Sequence, residues 1–207
     1  MLIGLVGLIG SGKDTVANRL VTNHGFIRDS FAKSLKDAVH SIFGWDRKML
    51  EGDSTISRHW REQPDPFWSK KFGKPVTPRW ILQYFGTEVC RGNMLDSIWV
   101  DSCMSRYKGL NTVISDTRFQ NEIKQINNAG GRIVLVQRGD LPTRQEMQES
   151  GAHKSEWDWI GADYDYVIKN DSSLENLNEE TAKMLNHLLV NPPKSSQGVE
   201  STLVSGN

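Results

Sequence analysis

The residues with the clearest chemical meaning are Gly7-Leu8-Ile9-Gly10-Ser11-Gly12-Lys13-Asp14-Thr15, a G-x-x-x-x-G-K pattern between an apolar run and a helical pattern. In that context the glycines let backbone N–H groups curl around phosphate oxygens. The helix start adds partial positive charge, and Lys13 supplies a full one. Gly10, Ser11, Gly12, Lys13, Asp14 and Thr15 are therefore the candidate nucleotide-phosphate residues. The plainer alternative is a glycine-rich strand-to-helix turn with Lys13 in solvent. A dinucleotide fingerprint does not fit, because Thr15 stands where its third glycine belongs.

Asp14 occupies the place where a standard phosphate loop has Ser or Thr. A carboxylate beside a triphosphate is repulsive unless a cation or a helix N-terminus offsets it. Asp14 has three readings: it reaches Mg²⁺ through water, accepts from a substrate, or simply favours the first helical turn. Thr15 is the better Mg²⁺-side hydroxyl, so Thr15 and Asp14 are the candidate metal ligands.

A second segment, Thr112-Val113-Ile114-Ser115-Asp116, is a hydrophobic strand ending in an acid, where a doubly wound sheet presents residues to its crevice. Arg118 and Glu122 follow closely. Asp116 is either a carboxylate serving the phosphate site or, with Thr117, a helix N-cap beside a surface Arg/Glu pair. The histidines (His24, His40, His59, His153, His187) are scattered, so no nucleophile–base triad is legible. Cys90 and Cys103 read as core thiols on helices.

These residues need a scaffold, and the pattern supplies an alternating one. Leu2–Val6 reads as a strand buried on both faces, and Val16, Ala17, Leu20 and Val21 mark a helix stopping at Gly25. Further strands are expected at 26–30, 112–115, 133–136 and 164–168, with helices over 32–43, 80–89, 96–107, 123–129 and 174–188. The stretch from Trp45 to Arg79 carries Pro64, Pro66, Pro75 and Pro78, three tryptophans and no sustained periodicity, and reads as an irregular, lid-like insertion. It holds eight basic residues against five acidic ones, a modest positive patch. The fold class is α/β, a mostly parallel sheet flanked by helices, with an irregular and helical insertion over about 45–107. One domain spans 1–190, and the Pro/Ser/Gly-rich 191–207 reads as a disordered tail.

Composition narrows the partners. The 207 residues balance 25 Lys+Arg against 25 Asp+Glu, so no global cationic field favours a nucleic-acid polymer or an anionic membrane. Any anion must be held locally. Two cysteines outside any metal-ligand spacing point to a reducing compartment, and no apolar run approaches the roughly 20 residues needed to span a bilayer. A cytoplasmic protein is expected, with a homodimer as the candidate assembly.

Together, the glycine loop, Ser30-Phe31-Ala32 with Leu35-Lys36, Arg79-Trp80-Ile81-Leu82-Gln83-Tyr84-Phe85-Gly86-Thr87-Glu88, Trp99 and Asp116-Thr117-Arg118-Phe119 with Asn121-Glu122 carry a resemblance. With His153-Lys154-Ser155-Glu156 as a further block, the chain resembles the deoxynucleoside monophosphate kinases of tailed bacteriophages, within the P-loop nucleotide kinases. The likeness runs from residue 1 to about 190. It implies transfer of the ATP γ-phosphoryl group to a deoxynucleoside 5′-monophosphate with Mg²⁺, in the host cytoplasm if the protein is viral. It further implies a monophosphate site lined by Arg79, Gly86, Thr87, Trp99, Asp116, Arg118 and Glu122, with Lys13, Arg118 and Asp116 closest to the chemistry. Arg79 suits a bidentate hold on phosphate, Trp99 can stack on a base, and Arg138 and Arg144 are lid candidates. The family keeps an aspartate at position 14.

A monophosphate acceptor is already ionised at neutral pH, so positioning and charge neutralisation suffice and a general base is dispensable. Two rivals remain open at this level. One is another small-molecule P-loop kinase, acting on phosphomevalonate or a coenzyme precursor. The other is a module that binds ATP without transferring phosphate.

Overall fold

The computed structural model describes residues 1–192, so the expected tail lies, from residue 193 on, outside the described residues. Five parallel strands form one sheet in the order β2-β3-β1-β4-β5: β1 Leu2–Val6, β2 Ile27–Asp29, β3 Thr112–Ile114, β4 Arg132–Gln137 and β5 Tyr166–Lys169. Parallel pairing requires a crossover after every strand, and the helices that make the crossovers cover both faces. β1 is central. Its neighbours run off in opposite directions, so its C-terminal end is where the sheet opens a crevice.

Alternation along β1 divides the core. Ile3 and Leu5 face helices α1 (Lys13–His24) and α9 (Leu174–Val190), with Val16, Leu20, Met184 and Leu188 among the buried partners. Leu2 and Val6 face the opposite side, against Ile123 and Ile126 of α7 (Gln120–Asn128) and Trp159. Gly4 is needed there because a Cβ would lie 2.5 Å from Ile126 Cδ1.

The insertion expected to be irregular is mainly helical. After α2 (Lys33–Phe43) come α3 (Thr55–Arg61), α4 (Pro66–Phe72) and α5 (Pro78–Gln83). The prolines misled because Pro66 and Pro78 sit in first turns, where proline gives up no helical hydrogen bond. Asp65 and Thr77 cap those helices through Trp68 N and Trp80 N, each cap contributing about 1 kcal/mol. Helices of six or seven residues are too short to show a period. The helix expected over 80–89 divides: α5 ends at Gln83 and a π-helical segment continues over Tyr84–Arg91, followed by α6 (Ile98–Arg106). Wide π turns occur often at functional sites. The insertion packs with α2 around a second core of Leu35, Val39, Trp45, Leu50, Val76, Ile81, Cys90 and Trp99. Trp45 Nε1 donates to Asp65 Oδ2 at 2.8 Å, so this aromatic layer also satisfies its polar edges. A short helix, α8 (Arg144–Glu149), and a 3₁₀ turn (Lys154–Glu156) were not evident as periodicities.

Candidate active site

The loop after β1 folds as its glycines require. Gly7, Gly10 and Gly12 have φ of 148°, 80° and 104°, conformations that L side chains rarely adopt. Gly7 also has no room for a side chain, since a Cβ would lie 2.3 Å from the Val136 carbonyl oxygen. Gly12 caps α1 with no side-chain acceptor, leaving the first-turn N–H groups and the helix dipole to serve an anion. Lys13 Nζ folds back to donate to Gly7 O and Leu8 O, each at 2.8 Å. Burial, then the nearby Arg118, lowers its pKa to about 8, while Asp14 and Asp116 oppose the shift.

The cleft beside the loop has a volume of about 190 Å³ and is lined by Lys13, Thr117, Arg118, Ser155, Glu156 and Trp159 among others. Arg118 is exposed. Arg79, from the first turn of α5, reaches the same wall: Nη2 lies 3.2 Å from Glu156 Oε1, and Nη1 lies 3.0 Å from Glu62 Oε1. Lys13, Arg79 and Arg118 thus converge from three separate stretches of chain.

Several other expected residues have different surroundings. Trp99 is only 8% exposed, packs in the insertion core and donates Nε1 to Gly86 O at 2.9 Å. Its indole therefore presents no face for a base to stack on. Gly86 is buried, and a Cβ there would meet Leu35 Cδ2 at 2.7 Å, so this glycine serves helix packing. Thr87 lies half-buried within the π segment. Glu122 is 2% exposed and faces inward, where Oε2 accepts from Arg118 N at 2.7 Å and Phe119 N at 3.1 Å. Oε1 accepts from Arg91 Nη2 at 2.5 Å, and the Arg91 guanidinium also stacks 4.1 Å from the Phe119 ring. Glu122 therefore positions Arg118 rather than lining the cleft. Burial pushes its carboxyl up to about 7 against the pull of Arg91.

Asp116 accepts from Phe31 N at 2.9 Å and Ala32 N at 3.0 Å, clamping the turn that leads into α2. Asp14 has a side chain 62% exposed and pairs with Arg28, which also donates Nε to Ser115 Oγ at 3.0 Å. Thr15 is half-buried in the first turn of α1. Of the lid candidates, Arg138 is exposed, with Nε 3.3 Å from Asn170 O, and Arg144 is held by Asp158 at 3.0 Å.

Three contributors escaped the sequence reading. Arg28 gives no signal in a strand of three residues; Arg91 lies in a helical pattern where its partner Glu122 is 31 positions away. Asn170, at the end of β5, donates Nδ2 to Ser11 O at 2.8 Å and so fastens the loop from the far side. A lone asparagine after a strand announces nothing by itself.

Comparison with known proteins decides the family. Residues 67–181 match the deoxynucleotide monophosphate kinase family. A chain of Acanthamoeba polyphaga mimivirus, provisionally described as a deoxynucleotide monophosphate kinase, is 34% identical over 191 residues, covering 84% of this chain and 91% of that one. This chain belongs to the deoxynucleotide monophosphate kinase family. As a family member it is a phosphotransferase, and the matched segment carries Arg79, Arg118 and Glu156. Two solved structures are similar at lower level: a sugar kinase from Janibacter sp. HTCC2649 (16% identity, 91% of this chain and 96% of that one, TM-score 0.41) and the dephospho-CoA kinase of Campylobacter jejuni (17%, 89% and 95%, 0.40). Overlaps that loose add no argument about this kinase. No helix among its described residues is long and apolar enough to cross a membrane.

Proposed function

We propose that this kinase transfers the γ-phosphoryl group of ATP to a deoxynucleoside 5′-monophosphate. One observation carries the reading: the cleft at the phosphate loop shares Glu156 with Arg79, so a cation suited to an acceptor phosphate is tied to the wall facing Lys13. A phosphate oxygen of the acceptor attacks the γ-phosphorus as the bond to the β,γ-bridging oxygen breaks, leaving ADP. The acceptor oxygen is already anionic, and the chain's task is to hold two polyanions close without repulsion. Lys13 leaves its two carbonyls for the β- and γ-phosphates, the α1 N-terminus receives the phosphates through backbone N–H groups, and Arg118 and Arg79 face the acceptor.

The chain's oxygen donors fit Mg²⁺. Thr15 and Asp14 lie at the start of α1, and the described residues contain no group of three or more His, Cys, Asp or Glu that could cage a metal alone. Mg²⁺ takes one or two protein oxygens and completes its octahedron with water and substrate phosphates, which suits this arrangement. Bound there, it would supply charge neutralisation. Buried Ser11 Oγ, with no partner among the described residues, is a further donor for a phosphate oxygen.

ADP release measured against dAMP, dCMP, dGMP, dTMP and base-modified monophosphates tests the reading. Stimulation by at least one is expected. ATP binding without stimulation by any of them overturns it and favours a non-transferring module.

A further inference from the structure

Asp14 brings a negative charge to the first turn of α1, next to the lysine that serves the phosphates. Its charge is felt there, since Asp14 opposes the lowering of the Lys13 pKa. The carboxylate has a cation of its own. Arg28, in the edge strand β2, donates Nη2 to Asp14 Oδ1, Nη1 to Asn18 Oδ1 at 3.0 Å and Nε to Ser115 Oγ at 3.0 Å. One guanidinium thus joins two residues of α1, a turn apart, to the residue that follows β3.

Folding stability does not account for this arrangement. The Arg28 and Asp14 side chains are 35% and 62% exposed, and ion pairs that open to water add little to stability. Asn18 and Ser115 are neutral, so among the described residues Asp14 is the one carboxylate bonded to Arg28. What the pair does change is the charge at the loop. A polyphosphate brought to the α1 N-terminus meets an unbalanced carboxylate unless a cation lies beside it, and the three contacts of Arg28 hold its charge at that place. The pairing uses Oδ1. Oδ2 has no hydrogen bond among the described residues, so it stays open for the Mg²⁺ role given to Asp14 above.

Resting on the ATP-donor reading above, we propose that Arg28 is a positioning residue for the phosphate donor: it balances and orients Asp14, which lets a phosphate loop with an aspartate after its lysine accept a polyphosphate. Arg28 acts through Asp14 and does not itself touch the nucleotide. Its removal therefore matters only while position 14 carries a charge.

Affinities measured by calorimetry on the full-length chain test this, with β,γ-imido-ATP and, separately, with inorganic tripolyphosphate. In Arg28→Gln both should bind roughly three- to tenfold more weakly, the scale of one unbalanced charge near a polyanion in a water-rich setting. Arg28→Met, also neutral and similar in length, should match it, and should one of the two not fold the other carries the test. Arg28→Lys keeps the charge without the fork and should lie between wild type and Arg28→Gln. In the Asp14→Asn background, Arg28→Gln should change either affinity by less than about twofold, because no charge is left to balance. Weakening of equal size in both backgrounds marks a merely structural role and overturns the proposal, as does unchanged affinity in the neutral variants. A wild type that binds β,γ-imido-ATP but is stimulated by no monophosphate overturns the kinase reading alone, and the affinities still decide Arg28. A wild type that binds neither polyphosphate overturns both.

Discussion

Asn170 Nδ2 donates to Ser11 O at 2.8 Å, joining the end of β5 to the phosphate loop across 159 residues of sequence. The same amide nitrogen occupies the space that a Gly12 side chain would fill, 2.5 Å from an ideal Cβ. The loop's curvature therefore depends on a strand two places away in the sheet as well as on its own glycines.

Asn170→Ala should loosen the loop while leaving the sheet intact. The ATP KM is expected to rise about tenfold, matching a lost buried hydrogen bond of about 1–1.5 kcal/mol, with a smaller change in monophosphate KM. Steady-state kinetics with each substrate varied in turn measures this; equal effects on both would assign Asn170 to general stability.

Binding of ATP, the proposed donor, is expected to be proton-linked through Lys13. With its pKa lowered to about 8 in the free enzyme, about half of the lysine is neutral at pH 8. Arriving phosphates favour the ammonium form, so binding at pH 8 should take up as much as about half a proton. Calorimetry in two buffers of different ionisation enthalpy reads this directly, and Lys13→Met should abolish it. The free protein should gain stability from this group as pH rises from about 8 to 10.5, where the unfolded lysine still holds a proton that the folded one has released.

Glu122→Gln removes the charge facing Arg91 in a setting where both side chains are almost fully buried, 3% and 6% exposed. Because burial raises the Glu122 pKa to about 7, its charged form is not favoured by folding, so the expected fall in unfolding free energy is that of weakened hydrogen bonds to Arg118 N and Phe119 N, about 1–2 kcal/mol, and it should shrink as pH rises through about 7. Glu122 also accepts from Arg118 N, so turnover should drop in the protein that remains folded. Urea unfolding beside activity per folded molecule separates the two effects.

Trp99→Phe tests whether that indole is structural. Its hydrogen bond to Gly86 O would be lost, at a cost of about 1 kcal/mol, with the monophosphate KM unchanged. A monophosphate KM raised severalfold without loss of stability would return Trp99 to the substrate.

The glycine loop, the strand before it and the helix after it were legible in the sequence because each is local. Positive-φ glycines, an apolar run and a 3.6-residue period all fall within the first 25 residues. The alternation of strands and helices likewise implied a parallel sheet, and the sheet is parallel throughout. The roles of Trp99 and Glu122 were not legible, because a tryptophan or glutamate reads the same whether it faces a ligand or the core. Only packing against Gly86 and Arg91 turned both inward. The insertion was misread because helices of six or seven residues draw their stability from caps and tertiary packing, neither of which leaves a period.

The sequence by itself determined the curved glycine loop and the helix start that follows it, and where along the chain they lie, since loop curvature and the helix terminus are backbone properties of neighbouring residues. Tertiary structure decided which distant side chains complete the site. Arg79, Arg118 and Asn170 come near the loop only when helices of the insertion and the ends of strands close on it. The physical reason is that electrostatic interactions act over a few ångströms in space, whatever the separation along the chain.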